Sequence, residues 1–296
     1  MDRLAALRLF VRTVETASFS RAARDNGLSQ PAVSRAVSAL EADLGVRLLQ
    51  RTTRRLSVTE AGQRVYVQAL RLLAEEEALV EAVAGADRDP VGRLRISNSV
   101  AFAETEVAPH VDTFLQSHPR MRLDVVATDA RIDPVAEGVD LMFRLGDLGD
   151  SGMTARRLGA YPRWLVASPA LADRLRIDQP LAEQLAGRCI VFSGSPLGGR
   201  WRLTSGDASV DFEATGSVTT TNGAVVQRLA AAGAGVALMP AFAVREDLDR
   251  GRLVRIAPDW QGPAMDLHAL WIHRELPRKA RAWLDYLAPR LTVGVT

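Results

Sequence analysis

Cysteine is almost absent from this sequence. The single residue, Cys189, excludes an internal disulfide framework and any cysteine-rich zinc fold. Long apolar runs are missing as well. No stretch reaches the ~18 apolar residues that a membrane-crossing helix needs. The longest uncharged stretch, Leu229 to Val244, is broken by Gly233, Gly235 and Pro240. After Met1 the chain continues as an amphipathic pattern with Arg8 and Arg12, not as the apolar core of an export signal. A soluble, cytoplasmic protein without a membrane partner is the expectation.

Histidine is scarce, with four residues. His268 and His273 lie five apart on a predicted strand and so face opposite sides. His110 and His118 are separated along a helix by about 12 Å at the helical rise. Neither pair has the spacing of a metal site. Cys189 has no identifiable histidine partner and reads as a buried small residue. Ser193-Gly194-Ser195 and Gly198-Gly199 match neither a nucleophile elbow nor a phosphate loop. No catalytic residue, metal or cofactor is expected, and the chain does not read as an enzyme.

What is present is an ordinary globular composition over 296 residues, 47% hydrophobic and 24% charged, enough for about two domains. The net charge of +2 conceals an uneven distribution. Residues 1–58 hold ten arginines against five acids, so the remainder is mildly acidic. Lysine is nearly lacking, Lys279 being the only one, so the basic character is arginine's. Arginine suits phosphate and guanine recognition, and its clustering points to a polyanion met by the N-terminal part alone.

That part has a helical grammar. Leu4, Leu7, Phe10, Val11 and Val14 follow helical spacing, with Asp2 as a cap. A short helix fits Ser20 to Asn26 and stops at Asn26-Gly27. Ser29 then caps a third helix that tolerates Pro31 in its first turn. Val33, Val37, Leu40 and Leu44 form the buried stripe of this helix. Gln30, Pro31, Ser34, Arg35 and Ser38 form a face of mostly short side chains that allows close approach to a major groove, where Arg35 and Gln30 reach base edges. Two β-prone runs around Thr52-Thr53 read as a hairpin wing, with Arg51, Arg54 and Arg55 aimed at phosphates or a minor groove.

The segments Phe19-Ser20-Arg21-Ala22-Ala23, Leu28-Ser29-Gln30-Pro31-Ala32-Val33-Ser34, Leu40-Glu41-Ala42-Asp43-Leu44-Gly45 and Leu56-Ser57-Val58-Thr59-Glu60-Ala61-Gly62 resemble the LysR-type transcriptional regulators. The resemblance covers residues 1–62 almost continuously. It implies that Gln30, Pro31, Ser34 and Arg35 meet bases and that Arg54 and Arg55 meet the minor groove or backbone.

From Thr59 to about Ala86 the chain has no proline and one early glycine, Gly62. Tyr66, Leu70, Leu73, Glu77, Val80 and Ala84 step by four and three, flanked by Val65, Ala69, Leu72, Leu79 and Val83. So wide a stripe wants a partner helix, and dimerisation is the reading. Ala86 to Pro90 reads as a hinge.

Strands at 93–97, 121–127 and 141–145, and helices near 108–117 and 134–138, indicate a parallel α/β sheet. Ligands of such sheets bind beyond the strand C-termini. Gly138-Val139-Asp140-Leu141, Arg144-Leu145-Gly146 and the run Ala232 to Pro240 are similar to the two-lobed effector domain of the same family. The resemblance implies an effector near Ser97, Ser99, Val100, Asp129, Arg144, Trp201, Thr221 and Asn222. Ser99 and Arg144 suit an anion, while Phe102 or Trp201 could stack on a ring. Trp201 as core filler and Asn222 as a turn residue stay open.

The expected fold is therefore mixed. A winged helix-turn-helix domain occupies 1–58 and a dimerisation helix with its hinge occupies 59–89. A two-lobed effector domain occupies 90–296, with lobe I at about 90–160 and 266–296 and lobe II at about 161–265. The expected partners are double-stranded DNA at an imperfect palindrome, a small effector, and further copies of the chain as dimer and tetramer. RNA polymerase is a further candidate. A solute-binding protein with an incidental N-terminal module is the rival, and DNA gel shifts separate the two.

Overall fold

The computed structural model describes residues 2–51, 56–83, 89–149, 152–175, 180–194, 198–272 and 275–294. The chain forms two compact units, one from Met1–Arg88 with Asp133–Gly138 and one from Asp89–Ile132 with Val139–Thr296. Among the described residues no helix is long and apolar enough to cross a membrane.

In the first unit, α1 (Arg3–Thr16) begins where the Asp2 carboxylate accepts the Ala5 amide, and ends at Ala17 in the left-handed region. α2 (Phe19–Asp25) starts one residue earlier than its spacing predicts, because Ser18 accepts the Arg21 amide. α3 (Gln30–Leu44) is capped by Ser29, carries Pro31 in its first turn, and ends at Gly45 with φ 69°. Phe10, Ala22, Val33, Val37 and Leu40 bury completely in a common core. Leu44, expected in the buried stripe, is exposed, because the last turn of α3 runs past that core.

A two-stranded antiparallel wing follows, β1 (Leu49–Arg51) on β2 (Leu56–Val58), with Gln50 opposite Ser57. α4 (Glu60–Val83) leads out of it. Tyr66 and Ala69 of α4 bury in the helical core, and Val65, Leu70 and Leu73 pack partly against it. Leu72 and Leu79, seven residues apart on one side of α4, stand 54% and 66% exposed.

The second unit is a mixed sheet rather than a wholly parallel one. β3 (Gly92–Asn98) runs parallel to both β4 (Met121–Ala127) and β5 (Leu141–Leu145). β13 (Gln261–Trp271) lies antiparallel to β5 and to the long β6 (Thr154–Ala167). β11 (Ala237–Pro240) and β12 (Val254–Arg255) extend the far end of β6. β8 (Arg200–Ser205) and β9 (Ala208–Glu213) form a hairpin that touches β13. β7 (Ile190–Phe192) and β10 (Val218–Thr220) form a small parallel pair.

One helical run follows β3: α5 (Val100–Phe102), a π turn at Ala103–Val107, and α6 (Ala108–Ser117). α7 (Pro169–Ala172), α8 (Leu181–Leu185), α9 (Gly223–Ala231), α10 (Ala241–Asp249) and α11 (Arg278–Leu287) complete the unit. The helix expected at 134–138 is a single turn. Asp133 Oδ1 caps the amides of Val135 and Ala136, and Gly138 at φ 62° ends it. β6 and β13 carry the chain out to the second lobe and back. The expected lobe boundaries at 160/161 and 265/266 therefore fall inside these two continuous strands. β13 changes register between Gly262 and Met265 and again between Leu267 and His268.

Candidate nucleic-acid interface and ligand cleft

The exposed face of α3 is built by the core beneath it. Burying Val33, Val37 and Leu40 turns Gln30, Pro31, Arg35 and Ser38 to solvent, with Ser34 half-buried beside them. Glu41 fixes the helix against the wing, its Oε1 accepting the amides of Leu48 at 2.8 Å and Leu49 at 3.0 Å. Gly62 permits the close approach of α4, since a Cβ there would lie 2.0 Å from the Leu48 carbonyl oxygen. Arg51 closes β1, while Arg54 and Arg55 lie outside the described residues.

The arginines of this unit divide by partner. Arg3 pairs with Asp43, Arg8 with Glu76, and Arg12 with Glu15 and Asp25. Arg21, Arg24, Arg35 and Arg47 are exposed and in no ion pair among the described residues. Arg21 and Arg47, on α2 and beside the wing, join the basic surface that sequence reading confined to Arg35 and the wing. Their only signal in the sequence was the regional excess of arginine.

The second candidate site lies where the strands of the first lobe end. Ser97 is fully buried, and its Oγ accepts from Arg144 Nη2 at 3.2 Å. Burial draws the Arg144 guanidinium below its ordinary value, and the charge of Asp129 acts in the opposite sense. Ser99 is the N-cap of α5, its Oγ accepting the Phe102 amide at 3.4 Å. The Val100 amide donates to Asp129 Oδ1 at 3.2 Å, and the Gly223 amide donates to Asp129 Oδ2 at 2.9 Å. Asn222 caps α9 through the Val225 amide, and Thr221 is exposed one residue earlier.

Of the predicted effector residues, Ser97 and Arg144 are joined by one bond, and Ser99, Val100, Asp129 and Asn222 by the bonds and caps at the two helices that Asp129 joins, with Arg144 in the field of the same carboxylate. The structure does not bring Trp201 to them. Its ring is 6% exposed, packs edge-on to Phe212 at 5.9 Å, and belongs to the second lobe's core with Leu165, Cys189 and Leu203. β8 turns alternate residues inward, and the large apolar ring takes the buried side. Phe102, the other candidate for ring stacking, is also core, lying on Phe143 and Phe242. Cys189 is buried, its thiol pushed up to about 12 by burial, which leaves it poorly suited as a nucleophile.

A further polar cluster was not legible in the sequence. Glu106, in the π turn and 3% exposed, accepts from Tyr161 Oη and the Thr292 amide, each at 3.0 Å, and from Thr292 Oγ1 at 2.5 Å. Burial and the neighbouring carboxylate push the Tyr161 phenol well above its ordinary range. This cluster ties the chain's last described turn to β6.

These two regions define a class: a winged helix-turn-helix regulator that carries a two-lobed α/β regulatory domain. The model described as bacterial regulatory helix-turn-helix protein, lysR family, matches residues 4–63, and the LysR substrate binding domain matches residues 87–292. The chain belongs to the LysR family of transcriptional regulators, whose members are regulators and not enzymes.

The HTH-type transcriptional regulator PtxR of Pseudomonas aeruginosa is 33% identical, over 98% of this chain and 95% of that protein. The solved LysR-type regulator CrgA of Neisseria meningitidis is 31% identical with a TM-score of 0.61, covering 97% of this chain and 98% of CrgA. The full-length Vibrio cholerae virulence activator AphB is 30% identical with a TM-score of 0.56, over 97% of this chain and 98% of AphB.

Proposed function

We propose that this regulator reads an imperfect palindrome at promoters as a dimer, that two dimers join as a tetramer, and that a small anionic effector held between the lobes resets it. The observation that carries the reading is the exposed face of α3. Gln30, Pro31, Arg35 and Ser38 stand clear of the core, and among the described residues Arg35 is without a carboxylate partner. Two such helices fit successive major grooves. The exposed Leu72 and Leu79 on α4 support the dimer, since apolar side chains of that size on a long helix favour a partner helix.

For the effector, Ser99, Val100, Arg144, Thr221 and Asn222 are the proposed contacts, with Ser97 orienting Arg144. Helix N-termini and a guanidinium favour an anion. Trp201 is left out because of its place in the core. On DNA, Ser34, Ser38, Arg51, Arg54 and Arg55 complete the proposed contact set. Regulation of this kind places the protein in the cytoplasm, with RNA polymerase as a further partner at activated promoters.

The test is pull-down of genomic fragments by the purified protein at near-physiological salt, with sequencing. A recurring interrupted palindrome near a few promoters is expected. Binding without a motif that simply weakens with salt leaves only a basic module and overturns the reading.

A further inference from the structure

Val100 opens the helical run that follows β3 in the first lobe, and Gly223 opens α9 in the second. The first amides of a helix have no partner inside it and sit at its positive end. Here both are taken by one side chain. Asp129, on the turn after β4, gives one carboxylate oxygen to Val100 and the other to Gly223. The caps Ser99 and Asn222 take the amides of Phe102 and Val225. The donors that would recognise an anion are already serving one.

We propose that the Asp129 carboxylate is an internal occupant of the effector cleft, an anion supplied by the chain that clasps the two lobes and that the carboxylate or phosphate of an effector displaces. This rests on the reading that an effector enters between the lobes.

Three features support it. The two bonds come from different lobes, so they exist together only while the lobes are closed. Arg144 lies in the field of the same carboxylate, and that charge is what an incoming anion would replace. The lobes also meet through apolar contact, Phe102 of the first lying edge-on to Phe242 of the second at 5.7 Å. Release of the clasp therefore reaches α10.

Asn98 adds an independent sign. It is fully buried, and among the described residues neither its amide nitrogen nor its oxygen has a partner, while its backbone carbonyl accepts from the Thr128 amide, next to Asp129. A buried amide left without bonds has much to gain from a rearrangement around it. The clasp also fixes the class of effector. A cation cannot accept from the two amides, and a neutral oxygen accepts without bringing charge to the helix ends, whereas an anion does both.

The experiment is hydrogen–deuterium exchange by mass spectrometry on the full-length protein. It compares wild type, Asp129→Ala and Gly223→Pro, with sodium acetate as the anionic probe and acetamide as the neutral control. Proline suits the first position of α9 and deletes the donor there, so this variant opens the clasp while keeping the helix. Expected are exchange faster by about tenfold at 222–226 in Asp129→Ala, the scale of a lost bond to a charged group, and faster exchange in α10 in both variants. Acetate restores the slow exchange of Asp129→Ala, and acetamide does not. Unchanged α10 exchange in both variants overturns the clasp. Exchange that stays fast under acetate overturns the displacement by an anion. No DNA enters this readout. Failure here with promoter binding intact removes only the clasp, and success in a protein that binds no promoter fragment removes only the regulator reading.

Discussion

Arg35 and Arg12 are the same residue type within one small unit, and their surroundings give them different work. Arg12 is held by Glu15 and Asp25 and contributes to the cohesion of the helices. Arg35 is exposed on α3 and has no such hold among the described residues. Arg35→Ala is expected to leave the thermal stability unchanged and to weaken binding to the palindrome by about 1–3 kcal/mol, relaxing preference at one position. Titration against the site and its single-base variants checks this. A loss equal on all sequences would mark a phosphate contact instead.

Asp124 offers a second test at this scale. Burial alone would raise its carboxyl. The bonds and charges of Arg93 and Arg95 outweigh that and hold it below the usual carboxylate range. A carboxyl lowered in the folded state adds stability above its unfolded value near 3.9 and loses it as pH falls through the folded value. Asp124→Asn should therefore flatten the loss of thermal stability on acidification below about pH 4, while Asp124 in the parent steepens it.

At the scale of elements, the first and third helices were legible because each carries its own cap. Asp2 and Ser29 are caps as read, and Gly45 ends α3 in the left-handed region as a glycine readily does. The turn at 134–138 misled because Pro134 followed by Ala136 has a helical look, while Asp133 and Gly138 confine it to one turn. Close approaches between elements leave fainter marks. Gly62 is one glycine in a long helix, and only the Leu48 carbonyl packed against it explains why no larger residue fits. Gly62→Ala is expected to destabilise the protein by about 1–3 kcal/mol. Because the clash is with backbone, it should also shift the wing. Thermal unfolding together with DNA affinity reads both effects.

For the molecule as a whole, α4 carries the consequence. Its core-facing residues are satisfied within the first unit, and Leu72 and Leu79 are not. Leu72→Glu with Leu79→Glu should turn the dimer into a monomer in sedimentation velocity, with little change in the unfolding of the dilute protomer, since both side chains already face water there. Persistence of the dimer would place its interface elsewhere. The two lobes raise a different matter of scale. They are joined through two continuous strands rather than a linker, and the register changes of β13 lie where it passes between them. Bulged strands bend more readily than regular ones, which suits a domain whose lobes are proposed to change pose.

Sequence alone determined what depends on neighbours along the chain: the caps, the two faces of α3, the hairpin strands, the long α4 and the basic start. These follow from side-chain periodicity and local hydrogen bonding, so they survive without knowledge of the rest. The tertiary structure decided what depends on residues far apart. It put Trp201 in a core and Glu106 beside Thr292, and it laid the Asp129 carboxylate across Val100 and Gly223. Asp129 and Gly223 are 94 residues apart, and no periodicity spans that distance. Only the folding of β3, β4 and β10 brings their ends to one place, where a charge can meet two helix termini.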